Sequence, residues 1–374
     1  MKIGIDARPL SYQLTGIGIY LKCLLDEIAR IDHKNNYYLI SNGPINYKLK
    51  NSNWIKIEGK FKNKFVSTIW TQVKVPFIVS KLNIDIYWGT RHQLPMGLSK
   101  KVKTLLTIHD IVHCKYPGTM TYSNLLAERF FMKLSIARSD CITADSFSTQ
   151  QDIYSYYKVN SKKVHLVYPG TPDLLQTDQI AHSDSYNFSY KYFLFVGTLD
   201  PRKNFKRIVK AFEMTNPEKT KVHLVIVGDK GWKNKSFLKT LKTHPCINYI
   251  HLTGYVSKEY LILLYKKALC LLFPSIYEGF GFPILEAMSF GTPVITSNIS
   301  AMKEVASDAA LLVDPYNLHE ITIAMNKIIQ NKCLRKKLIK KGYQRADSFS
   351  WNRCANNIIK LFNMVANNES VANI

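Results

Sequence analysis

Short apolar runs alternate with amphipathic helical patterns along almost the whole chain, and this alternation restricts the fold more than any other feature. Lys2–Asp6 has the apolar run of a buried strand, and Ile17–Ile31 follows with apolar residues at helical spacing. The cycle repeats up to Val164–Val167. Strands that alternate with helices form parallel sheets covered by helices on both faces. The sequence therefore predicts an α/β protein built from Rossmann-like, doubly wound domains.

A polar stretch, Gly170–Tyr190, interrupts this cycle, which restarts at Phe193–Val196. We interpret the stretch as an interdomain linker, since linkers are polar and lack apolar periodicity. Two doubly wound domains in tandem imply a cleft between them, and ligands of such sheets bind beyond the carboxyl ends of the strands. The predicted divisions are an N-terminal domain at 1–172, a linker at 173–190, a C-terminal domain at 191–350 and a terminal helix at 351–374 that returns to the N-terminal domain.

Two local patterns make more specific predictions. Val66–Lys81 has a helical pattern, but Pro76 lies inside it and should kink or break the helix, because proline removes a backbone donor. Ile247–Leu252 is typical of a strand.

Composition excludes several classes of protein. The chain has 374 residues, 46% of them hydrophobic and 21% charged, so it is neither disordered nor low in complexity. It contains no long apolar run that could span a membrane, and Asp6 and Arg8 occupy the place of a signal peptide's apolar core. We therefore expect a cytoplasmic protein. The seven cysteines form no C-x-x-C pair and are expected to be reduced, mostly buried thiols.

The formal net charge is +24, which favours anionic partners such as nucleotides, nucleic acid or an acidic lipid leaflet. General solubility explains such a charge equally well. Eight lysines and one acid, Glu58, lie between Tyr47 and Lys81. This segment could touch an anionic membrane surface, which would make the protein peripheral at the inner face of the membrane, or it could be a core helix with a solvated face. No recognition helix with interleaved basic and aromatic residues is present, so we expect no nucleic-acid partner.

The loop after the strand Cys270–Phe273 is the richest in candidate groups. Gly279 and Gly281 let the backbone approach a ligand closely, and the helix that follows offers free N–H groups to a phosphate. Two carboxylates, Glu278 and Glu286, bracket this turn and could face one ligand. The alternative is a tight strand–helix turn with no ligand.

A second loop, Val196–Asn204, connects a predicted strand to a predicted helix. Arg202 and Lys203 in this loop could clamp a diphosphate, arginine as a bidentate fork and lysine as a point charge. The alternative is an exposed loop with ordinary surface cations.

Two loops of the first half are weaker candidates. Gly16 and Gly18 fit G-x-G, but Leu21 stands where the dinucleotide fingerprint needs glycine, so NAD binding is not expected. His109-Asp110-Ile111-Val112-His113 has the spacing of a zinc motif but follows a strand instead of lying on a helix, so zinc is not expected. His109 could donate a hydrogen bond in the cleft or be a satisfied structural histidine.

Together these loops resemble the retaining glycosyltransferases of family 4, which have the GT-B architecture. The resemblance runs end to end and is most specific over residues 192–315. There, Gly197–Asn204 (GTLDPRKN), Thr253–Val256 (TGYV), Pro274–Pro283 (PSIYEGFGFP) and Gly291–Ile295 (GTPVI) fall in family order. Glu278 and Glu286 match the family's E-x7-E. The first half is similar to the mannosyltransferase-like subgroup that builds bacterial surface polysaccharides.

The resemblance implies a role for each candidate residue. Arg202 and Lys203 would hold the donor's diphosphate, and Glu286 would bind its ribose. Glu278 would bind the donor hexose together with the backbone of Phe280, Gly281 and Phe282. Tyr255 and Val256 would lie by the base, Gly16 near the donor phosphate and His109 by the hexose. Thr198 departs from the family, because many relatives carry arginine there, so the phosphate clamp would have fewer cations.

The expected reaction is transfer of a hexose, with retention, from a nucleotide diphospho-sugar to a hydroxyl of a lipid-linked or growing glycan. GDP-mannose is the favoured donor. No cofactor or metal is expected, in line with the absence of any Asp-x-Asp tripeptide. Two alternatives stay open: a nucleotide-sugar epimerase of GT-B fold, and a non-catalytic subunit that binds a nucleotide sugar.

Overall fold

The computed structural model describes residues 1–11, 14, 16–60, 64–172, 189–229, 231 and 239–367. The chain divides into two compact units, one of residues 1–170 with 350–374 and one of residues 171–349. The first boundary falls between Gly170 and Thr171 and the second between Phe349 and Ser350. Most of the segment interpreted as a linker, residues 173–188, lies outside the described residues.

In the described part of the first unit, seven parallel strands form one sheet in the order β3-β2-β1-β4-β5-β6-β7. The order reverses between β1 and β4, as in a doubly wound fold. The strands are β1 (Lys2–Asp6), β2 (Asn36–Ser41), β3 (Trp54–Glu58), β4 (Ile86–Gly89), β5 (Lys103–Ile108), β6 (Cys141–Ala144) and β7 (Val164–Leu166), and the helices are α1 (Gly16–Ile31), α2 (Lys64–Lys81), α3 (Val112–Lys115), α4 (Tyr122–Arg138) and α5 (Phe147–Tyr157).

The second unit repeats this plan with six parallel strands among its described residues, in the order β10-β9-β8-β11-β12-β13. Here the order reverses between β8 and β11. The strands are β8 (Lys191–Val196), β9 (Val222–Val227), β10 (Ile250–Gly254), β11 (Cys270–Phe273), β12 (Val294–Ser297) and β13 (Leu311–Val313), and the helices are α6 (Phe205–Met214), α7 (Pro217–Thr220), α8 (Lys258–Lys267), α9 (Phe282–Ser289), α10 (Ser300–Ala306), α11 (Leu318–Gln330) and α12 (Lys332–Asp347).

Neighbouring residues of the central strands contribute to opposite faces of the second sheet. Leu194 and Leu271 lie in one apolar core, whereas Phe193 and Leu272 lie in another. This alternation follows from the pleat of a strand, and both cores are closed by helices. The two Rossmann-like α/β units confirm the predicted fold class.

The last helix, α13 (Trp351–Asn367), belongs to the first unit. Its Phe362 ring packs edge-on against Trp88 of β4 at 5.7 Å between centroids. Asn352 donates a hydrogen bond of 2.8 Å to Glu27 of α1. Among the described residues, none of the helices combines enough length and apolar character to cross a membrane.

The structure corrects two local predictions. Helix α2 runs unbroken through Pro76, because Val75 and Val79 are buried in the core and Gly97 leaves room for the proline ring. Tertiary packing therefore outweighs the lost backbone hydrogen bond. In the segment 247–252, Ile247–Tyr249 is a 3-10 turn, and the strand begins only at Ile250.

The seven cysteines, all among the described residues, form no disulfide. Cys141, Cys270 and Cys354 are buried and Cys333 is exposed. Fewer of the cysteines are therefore buried than the sequence predicts.

Candidate active site

The two loops richest in candidate groups follow strands that lie side by side. The loop after β8 carries Arg202 and Lys203, and the loop after β11 carries Glu278. Because β8 and β11 are paired and the strand order reverses between them, both loops begin at the topological switch point of the second sheet. This is the position at which open α/β sheets bind ligands.

Backbone geometry fixes the cationic loop against the acidic one. Residues Pro201–Lys203 form a 3-10 turn that ends at Asn204, whose φ of 61° is left-handed. The side-chain amide of Asn204, through Nδ2, donates to the carbonyl of Pro274 at 3.0 Å and to that of Pro315 at 2.6 Å. The Ile276 amide donates to the Arg202 carbonyl at 2.8 Å. These bonds hold the cationic turn in a fixed position beside the β11 loop.

Arg202, Lys203 and Glu278 form one ion-paired cluster. Arg202 Nη1 donates to Glu278 Oε2 at 2.7 Å, and Lys203 Nζ lies 2.7 Å from Oε1 of the same carboxylate. Arg202 also donates to the carbonyl of Tyr277 at 2.9 Å. The structure therefore brings together three of the residues that the sequence singles out, with two cations sharing one carboxylate.

Burial strengthens these interactions. Burial alone would raise the pKa of Glu278, but Arg202 and Lys203 outweigh it and hold that pKa below its usual value. Burial lowers the pKa of Lys203, although Glu278 opposes this shift. The Lys203 side chain is only 13% exposed, and its ammonium lies 4.8 Å from the centre of the Phe273 ring. The cluster carries a net positive charge at low solvent exposure, which suits an anionic ligand.

The start of helix α9 lies directly after this cluster. Gly281 has a φ of 108°, which favours glycine, and Phe282 is the first helical residue. Phe280 is buried in the apolar core, where its ring packs edge-on against Phe282 and Phe349. Gly291, with a φ of 72°, follows the C-cap residue Phe290 at the end of helix α9.

Glu286 lies inside helix α9 and is buried. Its Oε2 accepts a hydrogen bond of 2.7 Å from the hydroxyl of Tyr265. Burial raises the pKa of Glu286, and the bond from Tyr265 only partly offsets this. A carboxylate in this position is costly unless a further donor approaches it.

The residues expected by the base follow β10. Tyr255 is 64% exposed, whereas Val256 is half-buried against the core of the second unit. Gly254 before them has a φ of 69°, which turns the chain sharply at the strand's carboxyl end.

The other two candidates belong to the first unit. Gly16 is exposed at the start of helix α1, and its position has open space around it. His109 follows β5 and is 8% exposed. Its Nδ1 lies 2.5 Å from Asp145 Oδ2 and its Nε2 lies 2.9 Å from the Thr90 carbonyl. Both ring nitrogens are therefore engaged within the protein, a pattern that fits the structural alternative for His109 as well as the functional one.

Residues 178–345 match the protein family described as "Glycosyl transferases group 1". This part of the chain is a group 1 glycosyltransferase domain. The match covers the cluster of Arg202, Lys203 and Glu278 together with helix α9.

Relatives match beyond this domain. O-antigen chain mannosyltransferase B of Escherichia coli is 26% identical over 98% of this chain and 100% of its own length. O-antigen chain mannosyltransferase RfbU of Salmonella typhimurium is 29% identical over 67% of this chain and 66% of its own length. Sucrose-phosphate synthase from Thermosynechococcus elongatus has a TM-score of 0.77 at 18% identity, covering 99% of this chain and 100% of that one, which shows a shared fold.

The glycosyltransferase domain also contains residues that the sequence did not single out. Asp200 is buried beside the two cations, and burial raises its pKa even though Arg202 and Lys203 oppose the shift. The Ser300 hydroxyl donates to the Glu278 carbonyl at 2.7 Å. Asp200 could have been noticed, since it lies in the GTLDPRKN motif, but the contact of Ser300 spans 22 residues and leaves no local signal.

One group of potential metal ligands occurs among the described residues. Atoms of Glu213, His244 and Cys246 lie within 4.8 Å of one another. The Cys246 amide donates to His244 Nδ1 at 3.3 Å, so the ring proton is on Nε2, which faces Glu213 at 3.5 Å. This arrangement is a hydrogen-bonded surface cluster. It precedes β10, at the amino end of the sheet, whereas the ion-paired cluster lies at the carboxyl end.

Proposed function

We propose that this chain transfers a hexose, with mannose favoured, from a nucleotide diphospho-sugar to a hydroxyl of a lipid-linked or growing surface glycan. The observation that carries the proposal is the half-buried, ion-paired couple of cations, Arg202 and Lys203, held at the switch point of a group 1 glycosyltransferase domain. The relatives named as O-antigen mannosyltransferases support mannose and polysaccharide synthesis.

In this proposal the cations act on the leaving group. Breaking the anomeric C–O bond leaves negative charge on the nucleotide diphosphate, and preformed cations stabilise that charge more in the transition state than in the ground state. Arg202 and Lys203 supply these charges, and the first amides of helix α9 add donors. Glu278 and the backbone of residues 280–282 orient the hexose, Tyr255 and Val256 contact the base, and Gly16 lies near the donor phosphate.

We further propose that the reaction retains the anomeric configuration and needs no metal or cofactor. The departing phosphate accepts the acceptor's proton on the face that the acceptor attacks, so no separate nucleophile is required. The two cations provide the charge that a metal ion supplies in other transferases.

The experiment that tests this function combines the protein with a panel of nucleotide sugars and a lipid-linked glycan acceptor. GDP-mannose with acceptor is expected to give a mannosylated product that has the same anomeric configuration as the donor, read by NMR from the one-bond C–H coupling of the anomeric carbon, with the rate unaffected by a chelator. Inversion, or loss of activity that added metal restores, would contradict the respective proposals. An epimerase would convert the donor without acceptor, and a binding subunit would bind the donor without turnover.

The variant Glu286→Gln is expected to weaken donor binding by about tenfold or more, because a charged hydrogen-bond acceptor for the ribose is lost. The same variant should be more stable at neutral pH. A carboxyl whose pKa is raised by folding binds more protons when folded, so the free energy of unfolding falls as pH rises from its unfolded to its folded pKa. Glutamine does not titrate, so the free energy of unfolding of the variant does not fall in this way.

Donor titrations and melting temperatures from pH 4 to pH 8 check both effects. Glu218→Gln, on the exposed surface of α7, serves as the control. An unchanged donor affinity in Glu286→Gln would argue against ribose recognition, and unchanged stability would argue against an ionised, buried carboxylate.

We also propose that the first unit docks on an anionic membrane surface. Helix α2 exposes Ile69, Val73 and Phe77 at intervals of four residues, so one apolar stripe faces outward. Helix α4 exposes Tyr122, Leu126 and Phe130 at the same spacing. Both helices pack on one core, and the segment 94–97 bonds to both, from Leu94 to Ser135 and from Met96 to Gln72.

Charge supports an anionic bilayer as the partner for these stripes. Residues 59–139 contain 13 lysines and arginines against the acids Asp85, Asp110 and Glu128. Each cation near an anionic leaflet contributes about 1 kcal/mol, and exposed phenylalanines add apolar area that a bilayer can bury. A lipid-linked acceptor would reach the enzyme at such a surface.

The double variant Phe77→Ser/Phe130→Ser is expected to bind phosphatidylglycerol vesicles at least about tenfold more weakly than the unaltered protein, since burying one phenylalanine is worth about 1.5–3 kcal/mol. Ile323→Ser, on the exposed face of α11, should leave vesicle binding unchanged. Equal binding of all three proteins in a flotation assay, or equal binding to neutral vesicles, would contradict the docking surface.

A further inference from the structure

Four polar residues at the carboxyl ends of four strands form one hydrogen-bonded chain in the first unit. Asp6 ends β1, and Thr90, His109 and Asp145 directly follow β4, β5 and β6. The Thr90 hydroxyl donates to the Asp6 carbonyl at 2.6 Å. His109 then connects the Thr90 carbonyl, 2.9 Å from Nε2, with the Asp145 carboxylate, 2.5 Å from Nδ1.

The partners of His109 determine its protonation. A carbonyl oxygen only accepts hydrogen bonds, so Nε2 must carry a proton. An ionised carboxylate also only accepts, so Nδ1 must carry one too. The ring is then an imidazolium that donates from both nitrogens and has no lone pair left to accept a proton. Burial on its own lowers the pKa of His109, but Asp145, the Thr90 carbonyl and Asp110 together outweigh burial and leave the pKa raised.

The surroundings of His109 make Asp145 its main charged partner. Tyr20 packs its ring edge-on against the histidine at 5.0 Å, and the ring of His92 lies at 5.4 Å. His92 Nε2 accepts the His109 backbone amide and its Nδ1 faces Glu128 at 3.8 Å. Asp110 and the buried thiol of Cys354 are further titratable groups nearby.

Asp145 is buried beside His109, which is its charged partner. It is 3% exposed, and its second oxygen, Oδ1, is buried without a hydrogen-bond partner in the part of the chain that the structure describes. A buried carboxylate with one strong partner is stable only while that partner is charged. Removing the carboxylate would leave the histidine in a buried position that favours its neutral form.

We propose that Asp145 is a positioning residue that holds His109 as a permanent imidazolium, so that His109 serves the site as a fixed hydrogen-bond donor and not as a proton-transferring base. The proposal rests on the proposed function for its effect on transfer, but the protonation of the ring can be measured without any turnover. The ring's Nε2 proton is then always present and can be shared with a sugar hydroxyl that approaches beside Thr90.

The first test uses the unaltered protein. Nitrogen NMR of histidine-labelled protein, assigned with His109→Gln, is expected to show both ring nitrogens of His109 protonated at pH 7.5. A neutral ring at that pH would overturn the proposal, whether or not the protein transfers a hexose.

The second test uses Asp145→Asn in the transfer assay. Asparagine keeps the size of the side chain but removes its charge, so His109 should lose its Nδ1 proton as pH rises through neutrality. The ring then keeps the Nε2 proton that faces Thr90 but donates a weaker, uncharged hydrogen bond from it. The variant is expected to lose about tenfold more activity at pH 8 than at pH 6, whereas the unaltered protein shows no such step. A merely structural role would reduce activity equally at both pH values and would overturn the proposal.

Asp152→Asn is the matched control. Asp152 is a buried aspartate of the same unit that pairs with Lys115 at 2.7 Å, so its loss affects stability without reaching His109. The control should show the pH profile of the unaltered protein. If Asp145→Asn does not fold, the NMR measurement decides alone. If no hexose is transferred at all, the proposed function fails while the NMR result still decides the protonation of His109.

Discussion

The variant Lys203→Met is expected to lower kcat by about two orders of magnitude, which corresponds to about 3 kcal/mol of lost transition-state stabilisation. Lys203 is one of only two cations in the ion-paired cluster, and the departing diphosphate would lose half of its positive partners. Methionine keeps an unbranched side chain over the Phe273 ring, and Glu278 keeps Arg202 at 2.7 Å. We therefore expect the variant to fold with a melting temperature close to that of the unaltered protein.

Arg202→Met distinguishes catalytic from structural loss. Arg202 also donates to the Tyr277 carbonyl, so its removal should lower both kcat and the melting temperature. Lys210→Met, on the exposed side of helix α6, should change neither. Activity above a tenth of the unaltered value in both Lys203→Met and Arg202→Met would exclude the clamp on the diphosphate.

The contact between the cations and Glu278 could be predicted only in part. Each lies in a loop after a predicted strand, and parallel strands place such loops at one edge of the sheet. The pairing of β8 with β11 brings together residues 76 positions apart, which no local pattern reveals. The sequence therefore singled out these three side chains as candidates, but it did not show that one carboxylate holds both cations.

Local patterns were weakest where tertiary contacts decide the outcome. Pro76 stays inside a continuous helix because Val75 and Val79 of the same helix are buried in the core. The local sequence does not show this burial. His109 was recognised as either a cleft donor or a structural residue. Its partner Asp145 lies 36 residues away on another strand, so the ion pair became visible only in the structure.

The variant Glu278→Gln separates two proposed roles of the cluster: the cations bind the diphosphate, and Glu278 binds the hexose. Glu278 is ion-paired with both cations, so an arriving diphosphate must compete with this carboxylate for them. Two unit charges 4 Å apart near a protein surface interact with about 4 kcal/mol, and removing the competitor should release part of this. We expect a free nucleoside diphosphate to bind Glu278→Gln about tenfold more tightly or better than it binds the unaltered protein.

Hexose transfer by the same variant should fall by about tenfold to a hundredfold, because a hydrogen bond from the sugar to a charged group contributes about 1.5–3 kcal/mol. Tighter diphosphate binding with slower transfer is a combination that general misfolding cannot produce. The variant should also melt at a lower temperature without ligand, since Arg202 and Lys203 then repel each other, and inorganic pyrophosphate should restore the loss. Calorimetric titration, transfer rates and melting curves, with Glu218→Gln as control, check these outcomes. If the diphosphate binds no more tightly and pyrophosphate does not restore the melting temperature, Glu278 does not compete for the cations, and the ion-paired cluster is structural.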